Sequence, residues 1–235
     1  MPGDAAVMFD DTRGGNDIIT GGAAAGINAA YGDAHDMVGR AIGGNDQVIG
    51  GAFAGTNFLH GDAARMSDDT RGGNDLVVGG AFAGLNLIYG DAFDMSGNAR
   101  GGNDVLEGGA NSENQMFGDA ATLSGNAIAG NDTLISGTGT DLMWGDAFAV
   151  IGPNVVTGRD NFVFLQGSGS DLIEDFRQSD GDRINLSDYQ FAGMSDLAIT
   201  GVGADTVIQF GGTGNSVTLV GFGNPGLLFA TDFIF

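Results

Sequence analysis

Aspartate recurs in this sequence at a fixed interval. Asp17, Asp46, Asp75 and Asp104 each close a Gly-Gly-Asn-Asp stretch, 29 residues apart, and Asp132 and Asp160 extend the series at intervals of 28 in two decayed copies. A second series, Asp4, Asp33, Asp62, Asp91, Asp119 and Asp146, follows a glycine in the same rhythm. Short carboxylates set in glycine-rich turns suit hard, oxygen-seeking cations. Gly and Asn also tolerate positive φ, so such a turn is expected to curl its carbonyl oxygens toward one point, with the Asp closing the cage. Calcium takes 6 to 8 oxygens at about 2.3 to 2.6 Å, more than one turn supplies, so stacked turns must share ions.

The candidate ligands are therefore Gly15, Asp17, Gly44, Asp46, Gly73, Asp75, Gly102, Asp104, Gly130, Asp132 and Asp160 along one edge. Asp33, Asp62, Asp91, Asp119 and Asp146 are expected to serve a second edge. Asp141 and Asp171 stand where earlier units carry Asn28, Asn57, Asn86 and Asn114, and Asp175 and Asp182 complete the set. The neutral asparagines fit side-chain ladders or turn bonds as well as they fit metal. A single Asn-Asp turn would read as a solvated bend. Six in register do not, because carboxylates a strand spacing apart, about 4.7 to 4.9 Å, repel unless cations lie between them.

Composition narrows the partners. The 235 residues carry a net charge of −22 with 8 basic residues, all arginine, so nucleic acid and anionic membranes are poor partners and cations natural ones. Cysteine is absent, which removes disulfides and thiolate metal sites. No apolar run is long enough for a membrane-spanning helix, and Met1-Pro2-Gly3-Asp4 lacks the basic and apolar regions of a secretory signal peptide.

The elements that must hold these aspartates follow from the same period. A fixed repeat of this length signals a solenoid, in which each unit buries its apolar side only against the next. Each unit contains two nonapeptide motifs, Gly-Asn-Asp-x-φ-x-Gly-Gly and Gly-x-Asn-x-φ-x-Gly-Asp, φ being apolar. Strand alternation predicts two inward columns: Ile19, Val48, Val77, Leu106, Leu134 and Phe162, then Ala30, Leu59, Ile88, Met116, Met143 and Ile173. Each buried side chain of this size contributes roughly 1.5 to 3 kcal/mol. That core is thin for a chain with 45 glycines, whose ordering costs the most backbone entropy.

An outward column, Tyr31, His60, Tyr89, Phe117 and Trp144, with Phe58, Leu87 and Leu142 two residues earlier, is too apolar for a solvent face. The longer connection of each unit is expected to fold over it as a third side, offering Met37, Met66, Met95, Leu123 and Val150; the alternative is cover by a partner. Residues 3–15 match 61–73 in register, so the chain opens mid-unit without a cap. This predicts the tail of a longer protein or an open end covered by another chain. Residues 1–157 read as the repeat region and 158–235 as a C-terminal cap. There, strands at Thr206 to Phe210 and Ser216 to Val220 flank the turn signal Gly211-Gly212-Thr213-Gly214-Asn215.

These units resemble expanded versions of the nonapeptide GGxGxDxUx of the RTX, or hemolysin-type, calcium-binding repeat family. Asp160-Asn161-Phe162-Val163-Phe164, Asp171-Leu172-Ile173-Glu174-Asp175-Phe176 and Gly181-Asp182-Arg183-Ile184-Asn185-Leu186-Ser187 resemble the serralysin-type capping region, with Asn185 in place of an Asp. Asp232-Phe233-Ile234-Phe235 is similar to the family's uncleaved terminal secretion signal. The resemblance implies an all-β parallel β-roll, here with expanded coils of about 29 residues, several Ca²⁺ ions, and bacterial type I secretion to the outside through an ABC exporter. Independently, the charge and glycines would keep the chain expanded where calcium is scarce and let it fold where calcium is abundant.

No catalytic signature is present. His35 and His60 are the only histidines, neither HExxH nor GxSxG occurs, and the pairs Asp10-Asp11 and Asp68-Asp69 recur as repeat elements. The expectation is a non-catalytic module. Two alternatives compete: an adhesion module stacking extracellular polysaccharide on the aromatic column, and, more weakly, an ice-binding face built on Thr138 and Thr140.

Overall fold

The computed structural model describes residues 1–212 and 214–235; the turn centre at Thr213 lies outside the described residues. The chain winds as a parallel β-solenoid with three sheets along its length. One eight-stranded sheet collects the short strands after the Gly-Gly-Asn-Asp corners, from Ile18–Thr20 through Gln47–Ile49, Leu76–Val78, Val105–Glu107, Thr133–Ile135 and Asn161–Val163 to Arg183–Asn185 and Phe233–Ile234. A second sheet of nine strands contains Ile27–Tyr31, Thr56–His60, Leu85–Tyr89, Ser112–Phe117, Gly139–Trp144 and Ser170–Ile173. The third, six-stranded, begins with Ala5–Phe9 and continues with Ala34–Val38, Ala63–Met66, Ala92–Met95, Ala120–Ser124 and Ala147–Ile151. Equivalent residues of successive coils pair directly, as in Ile19 with Val48 and Leu59 with Ile88.

Both predicted inward columns are buried and form one core with the cap residues Phe164, Ile184, Ile208, Val217 and Phe233. The longer connection does form a third side, but its methionines do not cover the aromatic column. Met37, Met66, Met95 and Leu123 fill a second core of their own with Ala34, Ala41, Ala63, Ala99 and Ala127, whereas Val150 is exposed. Each coil thus has two lobes. The small alanines let the returning segment lie close, so the methionines find their partners inside the connection itself. The aromatic column stacks on itself and is flanked by other residues of the third side, His35, Phe93, Ala121 and Phe148. Tyr31, His60, Tyr89, Phe117 and Trp144 stack face to face with centroids 4.9, 4.7, 4.9 and 4.6 Å apart, close to one strand spacing. His60 is buried in the ladder, which pushes its imidazole down to about 3 and keeps it neutral.

At the C-terminal end Ser216–Leu219 continues the second sheet in parallel, and Asp205–Gln209 and Ala198–Val202 add to it antiparallel. The two predicted hairpin strands are present within a residue or so of their expected bounds; Ala198–Val202 was not foreseen. Among the described residues no helix is long and apolar enough to cross a membrane.

Candidate metal centre

The two aspartate rows do not occupy separate edges. They meet at the waist between the two lobes. The corner Gly32-Asp33 joins the second and third sheets, and Gly43-Gly44-Asn45-Asp46 joins the third side to the next strand of the first sheet. Gly44 N–H donates to both carboxylate oxygens of Asp33 at 3.1 Å, closing the connection onto itself. The same bond recurs from Gly73 to Asp62, from Gly102 to Asp91 and from Gly130 to Asp119, at 3.0, 2.8 and 2.6 Å. The sequence placed the rows on two edges because it hid this closure, which depends on how far the connection folds back.

The first row is tied along the solenoid axis. Asp17 N–H donates to Asp46 Oδ1 at 2.6 Å, Asp46 N–H to Asp75 at 2.7 Å, Asp75 N–H to Asp104 and Asp104 N–H to Asp132 at 2.8 Å, and Asp132 N–H to Asp160 at 2.9 Å. Asp160 N–H donates to Asp182 at 3.0 Å, so Asp182 of the cap is the next member of this row. Asp175 accepts from Gly145 and Asp146 N–H and sits above the second row, where Arg177 also pairs with Asp146.

The glycines of these corners serve a different purpose from the one expected. None of Gly14, Gly15 and Asn16 or their equivalents adopts a positive φ. Glycine is required by close approach: a Cβ on Gly44 would lie 1.4 Å from the Gly15 carbonyl oxygen, and one on Gly32 would lie 1.7 Å from the Gly61 carbonyl and 2.2 Å from Asp46 Oδ2. The carbonyls of Gly15, Gly32, Gly44 and Gly61 accept none of the backbone hydrogen bonds found among the described residues.

One oxygen is left over on eight of the twelve aspartates in the two rows. Oδ2 of Asp17, Asp46, Asp75, Asp104, Asp132 and Asp160 in the first row, and of Asp91 and Asp119 in the second, is buried without a hydrogen-bond partner. Such groups cost free energy unless something binds them. Burial, with the facing carboxylates adding to it, pushes Asp46 up to about 7, Asp75 to about 9 and Asp160 to about 10. Asp62, Asp104, Asp119 and Asp132 are raised well above the ordinary range for the same reasons, and Asp33 and Asp91 are raised by burial to about 6. Fully ionised, the waist would be a buried file of like charges.

The residues present fit a hard divalent cation: anionic oxygens without partners, free glycine carbonyls and no room for side chains between them. Among the described residues no three acidic or histidine side chains converge on one point. A calcium ion here would therefore draw on one or two aspartates, Asp46 for example, and on the carbonyls beside it, those of Gly15 and Gly61.

The asparagine row behaves differently. Asn28, Asn57, Asn86 and Asn114 form a ladder, each Nδ2 donating to the next Oδ1 at 2.7 to 2.8 Å, and Asn114 ends it on Asp141 Oδ1 at 2.6 Å. Asn57 and Asn86 also exchange two hydrogen bonds with the backbone of Gly51 and Gly80. Asp141 and Asp171 share Ser136 Oγ, and burial raises both, Asp171 to about 7. Burial raises Asp146 as well, and takes Asp175 and Asp182 to about 7. The aromatic rings meanwhile spend their faces on one another, which removes the stacking surface that the polysaccharide reading required.

No protein-family model matches the chain, and no curated protein matches it. Among solved structures it is similar to the solution structure of the AlgE6R2 subunit from the Azotobacter vinelandii mannuronan C5-epimerase, at 22% identity and a TM-score of 0.37, over 65% of this chain and 91% of that one.

Proposed function

We propose that this chain is a non-catalytic, calcium-binding β-roll module of the RTX type, exported and then folded by extracellular Ca²⁺. The observation that supports this most strongly is the waist, where two aspartate rows face each other with eight unpartnered carboxylate oxygens buried between them. A cation bound only by the folded state stabilises it by mass action, so the waist acts as a switch between a repelling and a neutralised column. In the calcium-poor cytosol the chain stays threadable; outside, it winds. Export through an ABC exporter that reads the C-terminal Asp232-Phe233-Ile234-Phe235 is part of the same reading. Phe233 and Ile234 end in the first sheet, which forms after passage.

Titrating Ca²⁺ into chelated protein while following far-UV circular dichroism tests the reading. Coil should convert to sheet at neutral pH, and magnesium at the same concentration should do so poorly, because it holds its waters and demands an octahedron. Equal sheet content with and without chelator at pH 7.5 would refute it.

A further inference from the structure

The outer side of the third sheet carries a row that neither the calcium waist nor the cores explain. Reading one residue per coil in the paired register, it runs Ala6, His35, Ala64, Phe93, Ala121, Phe148. Small and ring-bearing residues alternate without exception over six coils. Each ring stands edge-on against the stacked ladder behind it: His35 on Tyr31 at 5.4 Å and 67°, Phe93 on Tyr89 at 5.7 Å and 74°, Phe148 on Trp144 at 5.9 Å and 77°. At Ala64 the equivalent place against His60 is vacant, and a cleft of about 340 Å³ opens between His35 and Phe93, rimmed by Arg65 and Asp94. The molecule itself shows what such a place accepts, which is one aromatic ring presented by its edge.

Phe93 and Phe148 remain 47% and 71% exposed, and Val7, Val38, Val150 and Ile151 of the same sheet are exposed with them. The next residue row reads Val7, Asp36, Arg65, Asp94, Thr122, Ala149. Inverting a second molecule about a two-fold axis between the third and fourth positions sets Phe93 of one copy over Ala64 of the other. It also sets His35 over Ala121 and Phe148 over Ala6. In the neighbouring row the same inversion brings Arg65 opposite Asp94, Asp36 opposite Thr122 and Val7 opposite Ala149. Rings meet slots and unlike charges meet, twice over by symmetry.

We propose that two copies of this chain associate side by side and antiparallel through this face, Phe93 of each filling the slot at Ala64 of the other. A peptide strand is a poorer occupant: its same-face side chains repeat at about 6.8 Å, whereas the slots lie two strand spacings, roughly 9.6 Å, apart. Arg65 engages Asp36 of its own chain through Nε at 2.6 Å, which leaves its terminal nitrogens for the acid opposite. Asp94 has no ion-pair partner among the described residues. The proposal needs only the folded solenoid, whatever holds its waist.

Sedimentation velocity of the whole chain in calcium, on samples shown to be folded by circular dichroism, tests it. Wild type should dimerise reversibly with micromolar affinity, as a small interface would. Ala64→Phe with Ala121→Phe plugs the slots with the ring that neighbouring coils already carry, so the fold should persist while the dimer weakens roughly tenfold or more. Asp94→Arg should weaken it similarly, and Arg65→Asp combined with Asp94→Arg should restore it. A folded wild type that stays monomeric up to about 100 μM, or a dimer indifferent to the plugs and charge reversals, overturns the proposal. Circular dichroism without calcium judges the calcium reading separately.

Discussion

Asp104 shows how one side chain can favour opposite states under different conditions. Its Oδ1 accepts from the Asp75 N–H at 2.8 Å, while Oδ2 is buried with nothing to bind. Asparagine keeps the acceptor and removes the charge. Asp104→Asn is therefore expected to raise the melting temperature in chelator, by relieving burial of a charge among Asp75, Asp91 and Asp132, yet to reduce the calcium-induced rise. Thermal melts with and without calcium read both effects. A variant destabilised equally in both conditions would show that the carboxylate has only a structural role.

At the level of elements, the asparagine ladder and the ring ladder stiffen the second sheet from its two faces. Asn57 is fully buried and uses both amide atoms on Gly51, Asn28 and Asn86. Asn57→Ala strands several backbone and side-chain groups at once, and we expect a loss of about 3 kcal/mol in chemical denaturation with calcium present. Much of this architecture was legible in the sequence. Ile19 to Phe162 and Ala30 to Ile173 form the predicted columns because strand alternation and a fixed period leave those residues one direction to point. The asparagine ladder was one of two open readings, since a neutral amide spaced one coil apart can bond to itself. The waist was not legible: that Asp33 meets Gly44 depends on the fold-back of the 34–43 connection, which hydropathy does not encode. The role of the corner glycines was misjudged for a related reason. Their need is for close passage beside a neighbouring carbonyl, a property of three-dimensional stacking that looks like turn propensity in one dimension.

For the molecule as a whole, proton and metal are alternative ways to quiet the same column. Asp46, Asp75 and Asp160 have folded-state values of about 7, 9 and 10, above the ordinary aspartate value near 3.8 that they regain on unfolding. The folded state binds the extra protons, so without metal its stability is fullest below about pH 4 as far as these groups are concerned. It declines as pH rises above about 4 and is lost as pH passes the folded values of about 7 to 10. Chelated protein should thus show more sheet at pH 5 than at pH 8.5, and calcium should flatten that dependence. Circular dichroism at both values, with and without metal, checks it; greater metal-free stability at the higher pH would contradict the sign.

The bonds along the first aspartate row all point one way. The backbone N–H of Asp17 finds its acceptor only on Asp46, that of Asp46 only on Asp75, and so on to Asp182. At the aspartates each rung is therefore finished by its successor and the far end rests on the cap, while the adjoining Asn45 and Asn74 N–H groups reach back to Asn16 and Asn45. A chain released tail first could lay each new rung on a completed template, like courses added to a wall whose foundation is already set. Delivered head first, it would have to hold each bend unfinished until the next arrived.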